Sequence, residues 1–129
     1  MEKNTLLQVW PIPAFDDNYI WCIHDGQTAL VVDPGDSAPV LRYLKEHKLR
    51  LTGILVTHHH ADHTGGILEL LHSLGEDLPV YGPANSEIPG RTQVAMEGDK
   101  LEIANPKISF KVFEVPGHTL DHIAYFANM

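Results

Sequence analysis

The chain has little that would tie it together covalently or carry it into a membrane. Its 129 residues contain one cysteine, Cys22, which excludes a disulfide within the chain. The expected compartment is therefore a reducing cytoplasm, and Cys22 reads as a small buried apolar residue rather than a nucleophile. Basic residues are scarce: 9 Lys and Arg face 17 Asp and Glu, a formal charge of -8. That balance disfavours nucleic acid, whose phosphates need a basic face. No apolar run approaches the roughly 20 residues of a membrane span. The opening Met1-Glu2-Lys3-Asn4-Thr5 leads into only Leu6-Leu7, too short for an export signal. Repeats, linkers and low-complexity segments are missing too. With a hydrophobic share of 43%, the length suits one domain with a modest core.

Histidine, by contrast, is concentrated. Thr57-His58-His59-His60-Ala61-Asp62-His63 packs four imidazoles and a carboxylate into seven residues. Neutral imidazole suits zinc and iron, and a carboxylate adds charge for a cation. On an extended segment His58 and His60 leave the same face, with His59 opposite. Asp62 and His63 follow where Gly65-Gly66 and Ile67, Leu68, Leu70 and Leu71 announce a helix. Two ligand pairs at such a junction can serve two adjacent metals. A solvated polar loop would not explain why Ile54-Leu55-Val56 runs directly into it.

Along the chain, short apolar segments alternate with turn signals. Leu6 to Trp10 predicts a strand stopped by Pro11 and Pro13. Tyr19–His24 and Thr28–Val32 predict a hairpin across Asp25-Gly26-Gln27. Ser37–Lys48 predicts a helix with Asp36 or Ser37 as cap and Val40, Leu41 and Leu44 on its apolar stripe. Leu51–Val56 predicts a central buried strand. A helix from about Thr64 to Leu74, closed by Gly75, follows the histidines. Pro79–Tyr81, Lys100–Ile103, Ile108–Val115 and His122–Ala127 predict further strands, with a loop from Gly82 to Arg91. Such mixing predicts a layered α/β arrangement with helices covering sheets.

A catalytic zinc normally has three protein ligands and an open position. His118, in the turn Pro116-Gly117-His118-Thr119, is the best candidate for the third beside His58 and His60. His24, His47 and His72 read as bystanders on strand or helix surfaces. Asp33 and Asp36 read as turn and cap residues, with support to the histidines as a lesser role. Asn18 and Tyr19 have no assignable chemistry.

The run from Thr57 to His63 matches T-H-x-H-x-D-H, and in it the chain resembles the metallo-β-lactamase superfamily. Within that superfamily it looks most like glyoxalase II, the hydroxyacylglutathione hydrolases. The narrower resemblance rests on Ile12–Trp21 with its Asp16-Asp17-Asn18-Tyr19 core, Val32–Asp36, Thr57–Gly66, Val80–Pro83 and Pro116–Thr119. It implies an αββα sandwich, of which this chain would be the N-terminal half: a mixed sheet with flanking helices. It implies a first metal on His58, His60 and His118 and a second on Asp62 and His63. Zinc is expected, two per intact site, with iron or manganese as alternatives. The implied reaction is hydrolysis of a glutathione thioester such as S-D-lactoylglutathione, with Asp62 both a ligand and an orienter of water. His122 lies in the family's G-H-T-x-G-H pattern, although Asp121 replaces the usual glycine.

The resemblance also implies a later bridging aspartate, a further histidine ligand and a helical glutathione-binding region, none of which follows before Met129. The 129 residues alone are therefore expected to be weakly active or inactive and prone to self-association. Competing readings are another hydrolase of the superfamily, a mono-iron persulfide dioxygenase, or a metal-binding half-domain without turnover.

Overall fold

The computed structural model describes residues 7–15, 18–58, 64–75, 77–84, 87–115 and 122–127. Its larger sheet has six strands in the order β1-β2-β3-β4-β5-β6. These are β1 (Gln8–Ala14), β2 (Asn18–His24), β3 (Thr28–Val32), β4 (Arg50–Leu55), β5 (Val80–Gly82) and β6 (Gln93–Val94). β1, β2 and β3 pair antiparallel, while β3, β4, β5 and β6 run parallel. A smaller antiparallel sheet holds β7 (Lys100–Ile103), β8 (Ile108–Glu114) and β9 (Ile123–Phe126).

The turn chemistry closing β2 on β3 is visible in Asp25. Its Oδ1 accepts the Gln27 and Thr28 N–H groups at 2.9 and 2.7 Å. Gly26 takes φ 89, a conformation that favours glycine. Parallel strands need a crossover, and helices supply it for β3–β4 and β4–β5, whereas the described residues between β5 and β6 form no helix. The first is α1 (Ser37–Glu46), between β3 and β4. The second is α2 (Ile67–Leu74), between β4 and β5. Asp36 caps α1, accepting the Ala38 N–H at 3.2 Å.

Helical spacing puts Val40 and Leu44 on one side of α1 and Ile67, Leu70 and Leu71 on one side of α2. Both sides pack on the same face of the six-stranded sheet, against Ile12, Ile20, Cys22, Val31, Ile54, Val56 and Val80. The opposite face offers Ile23, Leu30 and Leu55, which meet Ile108 and Phe110 of the small sheet. The described residues thus form helix, sheet and sheet layers. Leu30, Ile54 and Leu55 are fully buried, each contributing about 1.5–3 kcal/mol relative to exposure. β4 is central, as its apolar second half predicts.

Four details differ from the sequence reading. β1 runs through Pro11 and Pro13 rather than stopping at them. It is the sheet's edge strand, and two prolines of like parity can turn their missing N–H positions to the open side. Regular α2 begins at Ile67, not Thr64, with Gly65 and Gly66 forming a turn before it. The two-residue β6 carries no periodicity and is not predicted. His24 is buried rather than on a surface, 5% exposed. Among the described residues no helix is long and apolar enough to cross a membrane.

Candidate metal centre

Because β3 and β4 are parallel and paired in register from Leu30 and Gly53 to Val32 and Leu55, they end at the same edge of the sheet. The residues that follow them meet there. After β3 comes Asp33, whose N–H continues the ladder to the Leu55 carbonyl at 2.8 Å. Its φ of 53 is one that aspartate tolerates better than most residues. This bend aims its carboxylate across the edge. After β4 come Val56, fully buried, then Thr57 and His58.

Asp33 takes both donors of Thr57. Oδ1 accepts the Thr57 N–H at 2.7 Å, and Oδ2 accepts the Thr57 hydroxyl at 2.6 Å. A carboxylate only accepts, so the single hydroxyl proton of Thr57 is committed to it. Thr57 Oγ1 also lies 2.8 Å from His58 Nδ1. That second bond then has Thr57 accepting, which puts the imidazole proton on Nδ1 and the ring lone pair on Nε2. Metal-binding histidines are commonly oriented in this way, through the nitrogen that does not bind. His58 is only 4% exposed, so its ring is also fixed by packing.

β9 closes the site from the small sheet. The Ile123 N–H donates to the Thr57 carbonyl at 3.0 Å. The Tyr125 hydroxyl donates to the Val56 carbonyl at 2.7 Å. His122, just before β9, lies beside His58 with ring centroids 4.7 Å apart and planes tilted by 34°. Its carbonyl accepts the Val115 N–H at 2.9 Å, tying the end of β8 to the start of β9. From the other direction Gly66 donates its N–H to the Pro34 carbonyl at 2.8 Å. A Cβ on Gly66 would lie 2.6–2.8 Å from the backbone of Pro34, Asp36 and Ser37, so the approach of α2 to the β3–α1 corner requires glycine.

Of the sequence-predicted ligands, His58 is described and occupies this edge. His59, His60, Asp62, His63 and His118 lie outside the described residues. The donor chemistry fits a metal: a buried imidazole with its proton held on Nδ1 opens a run of three more imidazoles and a carboxylate. Asp33 does more than shape a turn, because its carboxylate is the anchor behind Thr57 and His58. Sequence reasoning passed over Tyr125 altogether and noted His122 only as part of a pattern. The alternation of Ile123 and Tyr125 on one face of β9 was the available signal.

Cys22 is fully buried, and burial pushes its thiol up to about 12, which suits a packing role. At the far end of the large sheet His24 accepts the Gly26 N–H on Nδ1 at 3.1 Å, and its Nε2 lies 3.2 Å from the Tyr43 hydroxyl.

Comparison with known proteins bears on the family and the fold. The chain is 50% identical over 129 aligned positions to a hydroxyacylglutathione hydrolase of Cupriavidus metallidurans, covering 96% of this chain and 48% of that protein. It is 52% identical over 125 positions to one of Hahella chejuensis, covering 96% and 47%. The chain thus spans about half the length of the curated relatives it matches. The crystal structure of the B3 metallo-beta-lactamase BLEG-1 superposes with a TM-score of 0.78 over 93% of this chain and 67% of that one. At 24% identity that likeness speaks for the fold alone. The family model for the metallo-beta-lactamase superfamily matches residues 14–128, and the chain belongs to that superfamily.

Proposed function

We propose that this chain carries metal-binding residues of a hydroxyacylglutathione hydrolase, which converts S-D-lactoylglutathione and water to D-lactate and glutathione. The observation that carries the reading is His58, buried and held by Thr57 and Asp33 at the head of the histidine run. The roughly half-identical relatives of that name supply the substrate class. In this reading His58, His60 and His118 would hold one metal and Asp62 and His63 a second. Zinc is the first choice, with iron or manganese as alternatives. A bound divalent metal would lower the pKa of water toward neutrality and polarise the thioester carbonyl.

The chain's own residues prepare that chemistry. Asp33 and Thr57 keep the His58 proton on Nδ1 and fix the ring plane. His122 stands against the His58 ring and limits its rotation. Asp62 orients the attacking water in addition to its ligand role. Water oxygen bonds to the thioester carbon, its protons pass to solvent, the C–S bond breaks, and the sulfur leaves as the glutathione thiolate. The single, buried cysteine is in keeping with a cytoplasmic protein.

The second metal would have only Asp62 and His63 from these 129 residues, too few for tight zinc binding. The three-stranded sheet also covers only part of its six-stranded partner. Tyr19 and Trp21, with rings 6.2 Å apart, remain 56% and 45% exposed on β2. We therefore expect weak or no turnover from the 129 residues and self-association on size-exclusion chromatography. Fusing them to the C-terminal half of the Cupriavidus metallidurans relative should restore zinc-dependent hydrolysis of S-D-lactoylglutathione. A fusion that folds and binds zinc yet leaves this thioester intact would sink the substrate assignment. Rapid turnover by the 129 residues alone would sink the expectation of incompleteness.

A further inference from the structure

We propose that Tyr125 is a positioning residue for the metal centre: its hydroxyl fastens β9 to the end of β4 and so sets His58 against His122. The inference rests on the reading of His58 as a metal ligand.

The phenol has one proton and two carbonyls within reach, Val56 at 2.7 Å and Tyr81 at 3.3 Å. The shorter contact takes the proton. Tyr81 already accepts the Val56 N–H at 2.8 Å, whereas the Val56 carbonyl lies beyond the last β4–β5 pair, Leu55 with Tyr81. The phenol thus satisfies a carbonyl where the sheet's own ladder has run out. Val56 stands two residues before His58. One residue closer, the Thr57 carbonyl takes the Ile123 N–H. Two anchors on β9, at 123 and 125, therefore grip two consecutive carbonyls of the chain that leads into the histidine run.

Residue 122 immediately precedes the first anchor, so where β9 is fixed determines where the His122 ring stands relative to His58. The Tyr125 ring packs edge-on against Phe110, with centroids 6.1 Å apart. Burial, followed by the nearby Asp33 carboxylate, raises the phenol's pKa, so it stays a neutral donor. A ring that merely filled space would work as well without its oxygen.

The test compares Tyr125→Phe with Phe110→Leu, which loosens the same interface and spares the hydroxyl. Each chain is titrated with Co(II) against a chromophoric chelator, and its visible Co(II) spectrum and urea midpoint are recorded. We expect Tyr125→Phe to weaken Co(II) binding about tenfold and to alter the spectrum, as outer partners of metal ligands do. Phe110→Leu should lower the urea midpoint while leaving affinity and spectrum near wild type. Wild-type affinity and spectrum in Tyr125→Phe would overturn the proposal. So would an equal loss of affinity in Phe110→Leu. If the wild-type chain binds no Co(II), the ligand reading of His58 fails separately. Ring ¹⁵N spectra of the metal-free chains then decide the matter: shifted His58 and His122 signals in Tyr125→Phe support positioning, and unchanged signals refute it.

Discussion

Two histidines are buried at opposite ends of the large sheet, and they are used differently. His58 follows β4 at the edge where β3 and β4 finish, while His24 closes β2 near the edge where they begin. They are equally hidden, at 4% and 5% exposure. At His24 both ring nitrogens are taken up by the fold. Nδ1 accepts from Gly26, so the neutral ring's proton is on Nε2 and faces the Tyr43 oxygen. Tyr43 in turn stacks on His47, with centroids 4.2 Å apart, which pins the end of α1 to the end of β2. At His58 the described bond engages Nδ1 as donor and leaves the lone pair on Nε2. Burial alone therefore does not separate the two rings; the direction of the hydrogen bond at Nδ1 does, and it is the one the proposed ligand role of His58 needs.

Removing each ring should separate the roles most sharply. His58→Ala should weaken Co(II) or Zn(II) binding by more than about 100-fold, beyond the 10–100-fold that outer partners control. His24→Ala should leave metal affinity unchanged and cost about 1–3 kcal/mol of stability, because the Gly26 N–H and Tyr43 hydroxyl lose their partner. Isothermal titration and urea unfolding of the two variants check both statements. Metal affinity that falls equally in both would erase the contrast.

A smaller change tests the link behind His58. Thr57→Val keeps the shape but removes the hydroxyl between Asp33 Oδ2 and His58 Nδ1. Metal affinity should drop about tenfold, with an unfolding cost of about 1–3 kcal/mol from the two groups left without that partner. Thr57→Ser, which restores the oxygen, should recover most of the affinity in the same titration.

The smallest effect is in pH. Burial, then the neighbouring His47 charge, lowers the His24 pKa below 6.5, and Asp25 only partly opposes this. Below pH 6.5 the unfolded chain takes up this proton before the folded one does. The stabilisation from a neutral His24 is thus complete above that pH and is lost as pH falls through the folded pKa. Urea midpoints of the metal-free protein should decline across that window, and His24→Gln should flatten the decline. An identical slope in His24→Gln would assign the dependence to other groups.

Much of this was legible in the residues themselves. Apolar runs and turn signals located most strands, and the histidine run was correctly placed after a buried central strand. Other features depended on partners distant in sequence. Asp33 reaches Thr57 across 24 positions, so nothing local announces that its support to the histidines, read as the lesser role, runs through Thr57. Tyr125 meets Val56 across 69. His24 is a different kind of miss. Ile20, Cys22 and His24 share one face of β2, and that period of two already pointed inward. The prolines of β1 misled because a breaker at a sheet's margin breaks nothing.

The bond from the Ile123 N–H to the Thr57 carbonyl has a consequence in time as well as space. It closes a loop of 66 residues, counted as 123 minus 57. Chain closure over such a span comes after local hairpins and helices have formed. During synthesis the imidazole run therefore emerges well before the strand that braces it. The Thr57–Ile123 bond, and with it the placing of His122 beside His58, therefore follows the local structure on either side of it.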